Sequence, residues 1–229
     1  MATASLNPRP LLVTIDGPAG AGKTTVSRAL ARALNYRYID TGALYRGIAL
    51  AAAEQGVAPE DDRALESLCD KLVLDFKTRG DELRLMLNDR DVSDLIRSPQ
   101  ISMLASAVSA RPVVRRFLFD LQRNLGASKR AVFEGRDMGT VVFPDADIKF
   151  FLDADPTIRA RRRYEELKAK KGQAPSLETV EQDMIKRDKD DSTRQVAPLK
   201  PAPDAIRIDS SKMEIDQVIE LMLEYIAGK

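Results

Sequence analysis

Five short apolar runs recur along the chain, at Leu11 to Ile15, Tyr36 to Ile39, Ala131 to Phe133, Ile148 to Leu152 and Ala205 to Ile208, with stretches of helical spacing between them. Such alternation predicts an α/β fold, a five-stranded parallel sheet with helices on both faces. Helices are expected from Lys23 to about Leu34, Ala43 to Glu54 ending near Gly56 and Pro59, Glu60 to Lys71, and Pro112 to Gly126. The last helix keeps the period best, with Ile215, Val218, Ile219, Met222, Leu223 and Ile226 on one stripe. That stripe calls for packing and nothing more.

At Leu72 the period drops to two. Leu72, Leu74 and Phe76 alternate with Val73, Asp75 and Lys77; after Thr78-Arg79-Gly80-Asp81, Leu83, Leu85 and Leu87 alternate in the same way. This predicts an antiparallel hairpin with a third short strand at Arg90 to Val92. A small lobe, about 72–102, is therefore mounted on the parallel core, as a structural excursion or a substrate-binding flap. Further on, Asp155-Pro156 reads as a helix cap followed by proline in the first turn. That helix carries Arg159, Arg161, Arg162 and Arg163 and runs to a break at Gly172 and Pro175, and a further helix runs from Ser176 towards Arg187. Two arginine-bearing helices around a break form a lid pattern, about 157–187, although solvated faces explain many such charge runs.

The length, 229 residues, suits one α/β domain with an insertion. Lys and Arg number 36 against 35 Asp and Glu, so no global field draws the chain to nucleic acid or anionic lipid. Cys69 is the one cysteine, which excludes an internal disulfide and fits a reducing compartment. The first ten residues lack the apolar core of a signal peptide and no run approaches ~18 apolar residues. The expectation is a cytoplasmic protein, free of the membrane, with a flexible N-terminus over 1–10 and its folded domain over 11–229. There is no histidine, so imidazole bases, shuttles and metal ligands are excluded, as are Ser-His and Cys-His nucleophiles.

Chemistry concentrates first at Gly17-Pro18-Ala19-Gly20-Ala21-Gly22-Lys23-Thr24, followed by Thr25, between a strand and a helix. This is the G-x-x-x-x-G-K-[ST] phosphate loop in the setting it requires. Its glycines let backbone N–H groups converge on phosphate, Lys23 reaches the β- and γ-phosphates, and the Thr24 hydroxyl holds Mg²⁺. A nucleoside triphosphate and Mg²⁺ are thus expected at the loop. Other candidates sit at strand ends or helix starts: Thr41 and Arg46; Ser106, Arg111 and Arg115; and Glu134-Gly135-Arg136-Asp137. Glu134 or Asp16 could meet Mg²⁺ through water, and a plain Arg136-Asp137 salt bridge is the simpler alternative. Arg187, Asp191 and Arg194 follow in the second lid helix and beyond it.

A histidine-free, arginine-rich site favours phosphoryl transfer onto an acceptor that is already anionic. Asp40 or Asp137 could still act as base towards an alcohol. The Asn-Lys-x-Asp signature of guanine recognition is absent. Three rivals stand beside this reading: a small-alcohol kinase, a nucleotide-sensing module without chemistry, and nucleic-acid binding through Arg159 to Lys171. Charge balance and the small aromatic content speak against the last.

Four blocks together, Gly17 to Thr24, Asp40-Thr-Gly-Ala-Leu-Tyr-Arg46, Gly135-Arg-Asp-Met-Gly-Thr-Val-Val-Phe-Pro-Asp145 and Val196-Ala-Pro-Leu199, closely resemble the bacterial cytidylate kinase family, over about Val13 to Ile226. The Gly135 to Asp145 block is the most specific. The resemblance implies a P-loop nucleoside monophosphate kinase fold with a CMP-binding insert and a lid, acting on ATP and CMP or dCMP, here expected as a monomer. It further implies that Thr41, Arg46 and Arg136 hold the CMP phosphate and that Ser106, Arg115 and Asp137 read cytosine. Arg187 and Asp191 would meet the ribose, Arg194 would face phosphates, and Arg159 or Arg163 would come from the lid; Lys23, Arg136, Arg159, Arg163 and Arg194 are the catalytic set. Many relatives carry serine for Thr41 and aspartate for Glu134. Thr41 keeps the hydroxyl, whereas Glu134 keeps the charge at a longer reach.

Overall fold

In the computed structural model, residues 9–80, 82–171 and 175–228 are described. Residues 1–8 of the expected flexible N-terminus, Asp81 of the hairpin turn and Gly172 of the expected helix break lie outside the described residues. In chain order the elements are β1 (Leu12–Asp16), α1 (Lys23–Leu34), β2 (Arg37–Asp40), α2 (Thr41–Glu54) and α3 (Asp62–Cys69). Next come β3 (Leu74–Arg79), β4 (Glu82–Leu87), β5 (Arg90–Asp91), α4 (Pro99–Ser109), α5 (Pro112–Gly126) and β6 (Ala131–Gly135). The chain continues through β7 (Ile148–Asp153), α6 (Pro156–Lys171), α7 (Leu177–Thr193), β8 (Ile206–Asp209) and α8 (Ile215–Ala227).

The apolar runs form strands because both faces of the sheet they make are covered. Along β1, Leu12 packs with Phe133, Met138 and Phe143 on one face, while Val13 and Ile15 pack with α1 and α8 through Val26, Leu30, Val218 and Met222 on the other. Each such buried aliphatic or aromatic side chain stabilises the fold by about 1.5–3 kcal/mol. The five strands pair in the order β2-β6-β1-β7-β8, all parallel. In register, Asp16 lies opposite Gly135 and Asp40 opposite Glu134, so the polar ends of three adjacent strands reach the same edge. Ligands gather at that carboxyl edge in open α/β sheets.

The hairpin is present as a three-stranded antiparallel sheet, β3-β4-β5. Leu74 pairs with Leu87 and Phe76 with Leu85, and Leu74, Leu85 and Leu87 are buried in a cluster shared with α2, α4 and α5. The expected lobe boundary at residue 102 cuts through a helix, α4. Its signals were local: Ser98 caps it by accepting from the Ile101 amide at 3.2 Å, Pro99 follows, and Ile101, Ala105 and Val108 are buried. α7 also runs past Arg187 to Thr193, which makes Arg187 and Asp191 neighbours one turn apart. A further turn without a counterpart in the sequence reading is π-helical, Met138–Val142, closed by the Phe143 amide on the Met138 carbonyl at 2.6 Å.

Gly17 leaves β1 at φ 150°, and a Cβ there would lie 1.9 Å from the Leu152 carbonyl oxygen of β7. Backbone in the middle of a parallel sheet cannot yield as a side chain can. Gly17→Ala is therefore expected to cost about 3 kcal/mol, from overpacking, read as a lower denaturation midpoint at unchanged m-value. A midpoint equal to that of the parent would show that the loop does not depend on this approach.

Candidate functional site

The phosphate loop sits between the end of β1 and the first turn of α1. Gly20 and Gly22 both take left-handed backbone, at φ 74° and 88°, and Gly22 caps α1 without any side-chain hydrogen bond. The first N–H groups of α1 are thus directed at the loop's concavity rather than at a capping oxygen. Lys23 folds back inside, 4 % exposed, its Nζ donating to the Pro18 carbonyl at 2.7 Å. Burial, reinforced by Arg136 and Arg187, lowers its ammonium to a pKa of about 7, against the pull of Glu134 and Asp16. An anion placed here would restore the charge.

Glu134, near the end of β6, joins the loop to its neighbours. One carboxylate oxygen accepts from the Thr24 hydroxyl at 2.8 Å, the other from the Tyr38 hydroxyl at 2.5 Å, and its backbone carbonyl accepts from Thr41 at 2.7 Å. Hydroxyl and carboxylate oxygens side by side suit Mg²⁺, which takes one or two protein oxygens and keeps waters and phosphate oxygens as its other ligands. Among the described residues there is no group of three or more potential metal-ligating His, Cys, Asp or Glu side chains. Asp16 has a different task. Both its oxygens accept backbone amides, from Met138 at 2.9 Å and Gly139 at 2.7 Å, and burial raises its pKa to about 6.

A cleft of about 940 Å³ runs from the phosphate loop across the sheet edge to α4, α5 and α7. Thr41, Arg46, Ser106, Arg115, Arg136, Asp137, Arg187, Asp191 and Arg194 all line it, as do Lys23, Thr24, Thr25 and Arg163. The cations are interleaved with carboxylates. Arg46 pairs with Asp40 at 2.6 Å, Arg136 with Asp191 at 3.1 Å, and Arg115 with Asp137 in a buried contact. Arg194 lies 3.5 Å from Asp137 and 3.7 Å from Asp191. Burial works against the Asp191 charge, yet Arg136, Arg187 and Arg194 outweigh it and hold the carboxyl below its usual range. Compensation is incomplete on the cationic side: burial, then Arg136, lowers Arg187 to about 10.

Some candidates sit elsewhere. Arg159 is buried behind the loop, where its guanidinium donates to the carbonyls of Ala154 at 2.8 Å and Ala19 at 3.1 Å and to Asp188 at 2.5 Å. It clamps the phosphate loop to α6 and α7 and does not line the cleft. Arg163 does line it, paired with Glu166 at 2.8 Å. Arg111 turns away to Asp62 at 2.7 Å. Gly17 and Pro18 shape the loop from below, and Ala19 to Thr25 face the cleft. Two tyrosines escaped the sequence reading: Tyr38 on Glu134, and Tyr45, whose ring lies 5.6 Å below the Arg115 guanidinium. Tyr45 was visible within Asp40 to Arg46, but an aromatic beside a phosphate-binding segment reads as core until its partner is placed.

The sequence profile of the family described as cytidylate kinase matches residues 13–228. A protein named cytidylate kinase from Geobacter sulfurreducens is 50 % identical over 214 residues, 93 % of this chain and 91 % of its own length. Another of that name, from Syntrophotalea carbinolica, is 48 % identical over 221 residues, covering 96 % and 94 %. Among solved structures, an uncharacterized protein from Eubacterium ventriosum superposes with a TM-score of 0.53 at 15 % identity, covering 96 % of this chain and 99 % of its own. That likeness extends to the fold.

The depressed Lys23 pKa of about 7 gives the loop a proton signature. At pH 8 the ammonium of the empty protein is mostly neutral, and a bound polyphosphate favours the charged form, so binding takes up a proton. Calorimetry of ATP binding at pH 8, in two buffers of different ionisation enthalpy, is expected to show uptake that disappears near pH 6. Equal proton exchange at the two pH values would mean that Lys23 is already charged when the loop is empty.

Proposed function

The chain belongs to the cytidylate kinase family, and we propose that its cleft seats ATP on the phosphate loop and CMP or dCMP on the arginine-lined side, in line for direct transfer. It is an ATP-dependent nucleoside monophosphate kinase that moves the γ-phosphoryl group to CMP or dCMP, giving CDP or dCDP and ADP. The residue roles are our reading. Backbone amides from Ala19 to Thr25, with Lys23, hold the β- and γ-phosphates, on a loop shaped by Gly17 and Pro18. Thr41, Arg46 and Arg136 hold the acceptor phosphate, Ser106, Arg115 and Asp137 read cytosine, and Arg187 and Asp191 meet the ribose. Arg194 and Arg163 add positive charge around the transferring group, and Arg159 serves the loop from behind.

One observation carries this reading. Arg46 Nε and Arg187 Nε are buried donors without a hydrogen-bond partner, on residues that line one cleft opposite the phosphate loop. Buried donors in that state call for acceptors, and phosphate and ribose oxygens supply them. The carboxylates also speak for a phosphate acceptor. Asp40 is engaged by the Ala43 amide and Arg46, and Asp137 by Arg115 and Arg194, so neither stands ready as a base for an alcohol. A phosphate oxygen needs no base, and positioning with charge stabilisation suffices.

Mg²⁺, held by Thr24 and through water by Glu134, would neutralise charge on the β- and γ-phosphates. Residues 72–102, with the β3-β4-β5 sheet and the start of α4, are the nucleoside monophosphate-binding insert, and α6 with α7 is the lid that excludes water. No helix among the described residues is long and apolar enough to cross a membrane. A cytoplasmic monomer completes the reading.

ADP production from ATP and Mg²⁺, with CMP, dCMP, UMP, AMP and shikimate offered separately, tests the whole. Strong turnover is expected on CMP and dCMP and little on the rest; turnover on shikimate would overturn the placing of the acceptor phosphate. Lys23→Ala is expected to lower turnover by about a hundredfold or more, on the scale of a lost electrostatic donor, at unchanged circular dichroism. Near-normal turnover would remove Lys23 from the mechanism.

A further inference from the structure

Glu134 is a long side chain in a place where a metal-facing oxygen must be held still. A glutamate has one more rotatable bond than an aspartate, and fixing long side chains costs conformational entropy. The structure restrains it from both ends. Thr24 donates to one oxygen at 2.8 Å, and Tyr38 donates to the other at 2.5 Å.

Strand register explains how Tyr38 reaches it. Tyr38 on β2 lies opposite Val132 on β6, and Glu134 stands two residues further along the same strand. Positions two apart share a face of the sheet, so Tyr38 and Glu134 are diagonal neighbours within reach of a long aromatic side chain. The ring is fixed in turn by the Arg28 guanidinium from α1, 5.3 Å above its centroid. Burial, with Asp40 and Glu134 adding to it, raises the phenol's pKa, so the hydroxyl stays a donor. Tyr38 is absent from the residues that line the cleft, whereas Glu134 is among them.

We propose that Tyr38 is a positioning residue for phosphoryl transfer: its hydroxyl fixes the Glu134 carboxylate so that the oxygen beside Thr24 is presented to the Mg²⁺ shell. The proposal rests on the reading of Thr24 and Glu134 as the Mg²⁺ side of the site. Outer partners of this kind orient a metal-facing carboxylate, and losing one typically weakens metal affinity or activity by about 10–100-fold.

Calorimetric binding of the β,γ-imido analogue of ATP, with and without Mg²⁺, separates the two layers. Tyr38→Phe keeps the ring and is expected to weaken binding of the Mg²⁺ complex by about tenfold. It should leave metal-free binding, the KM for CMP and the thermal midpoint near those of the parent. Glu134→Gln is the reference: if it leaves the Mg²⁺-dependent gain intact, the metal reading itself falls. If Glu134→Gln abolishes that gain while Tyr38→Phe leaves it whole, the metal reading stands and the positioning role is overturned. In a Glu134→Asp background the carboxylate is too short to accept from Tyr38, so adding Tyr38→Phe should cost nothing further. A full additional loss there would mean that the hydroxyl acts otherwise than through Glu134, and the positioning role would be overturned.

Discussion

Lys23, Arg46, Arg115, Arg136, Arg187 and Arg194 are held around one cleft, and their mutual repulsion is the constraint that the neighbouring elements must offset. Burial first, and like charge after it, depresses three of them: Arg136 and Arg187 act on Lys23, Arg136 and Arg46 on Arg187, and Arg115 on Arg194. A like-charge pair 4 Å apart costs about 4 kcal/mol at an effective dielectric of 20. That is a large fraction of the whole stability of an ordinary domain, about 5–15 kcal/mol. Asp40, Glu134, Asp137 and Asp191 are therefore as necessary as the cations. They hold Arg115 and Arg136 above their usual range but leave Lys23, Arg187 and Arg194 below theirs, which gives the cleft an affinity for anions.

Sheet topology makes this possible with few residues. Because β1 is central and β6 and β2 follow it on one side, the phosphate loop, Glu134 and Asp40 all emerge at one edge. Asp16 extends the arrangement without facing the ligand. Its two hydrogen bonds to the amides of Met138 and Gly139 fix the π-helical turn, and with it the chain that has just presented Arg136 and Asp137. A buried carboxylate at the end of the central strand thus aims Arg136 and Asp137 on its neighbour, and these pair with Asp191 and Arg115 rather than in the Arg136-Asp137 bridge considered from the sequence.

Much of this was legible in the chain. The five runs became the five strands, the alternation at Leu74 to Leu87 became the hairpin, and the phosphate loop needed only its strand and helix for context. α4 was lost because an antiparallel texture invited one boundary, and the capping serine and proline at positions 98 and 99 were absorbed into it. The π-helical turn was illegible for another reason: its cause, Asp16, lies 122 and 123 residues away. Tyr38 is similar, since its task depends on which strand β2 joins and in what register. The arginine run at positions 159–163 read as one class of charge. Packing split it, sending Arg159 to the back of the loop and Arg163 to the cleft.

That split ties the phosphate loop to the arginine-lined cleft. α7 packs Met184 close to Gly20, where an added Cβ would lie 2.7 Å from the methionine's terminal carbon, and its Asp188 holds Arg159 against the Ala19 carbonyl. The same helix turns Arg187 and Asp191 into the cleft. At 3.6 residues per turn, residues 184, 187, 188 and 191 fall on one broad face of the helix, with Met184 and Asp188 towards the phosphate loop and Arg187 and Asp191 towards the cleft. A displacement of α7 large enough to carry Arg187 and Asp191 away therefore also breaks the Asp188 to Arg159 to Ala19 chain and opens the apolar contact over Gly20. One rigid element thus answers to the phosphate loop and to the arginine-lined cleft together, and it cannot satisfy either independently.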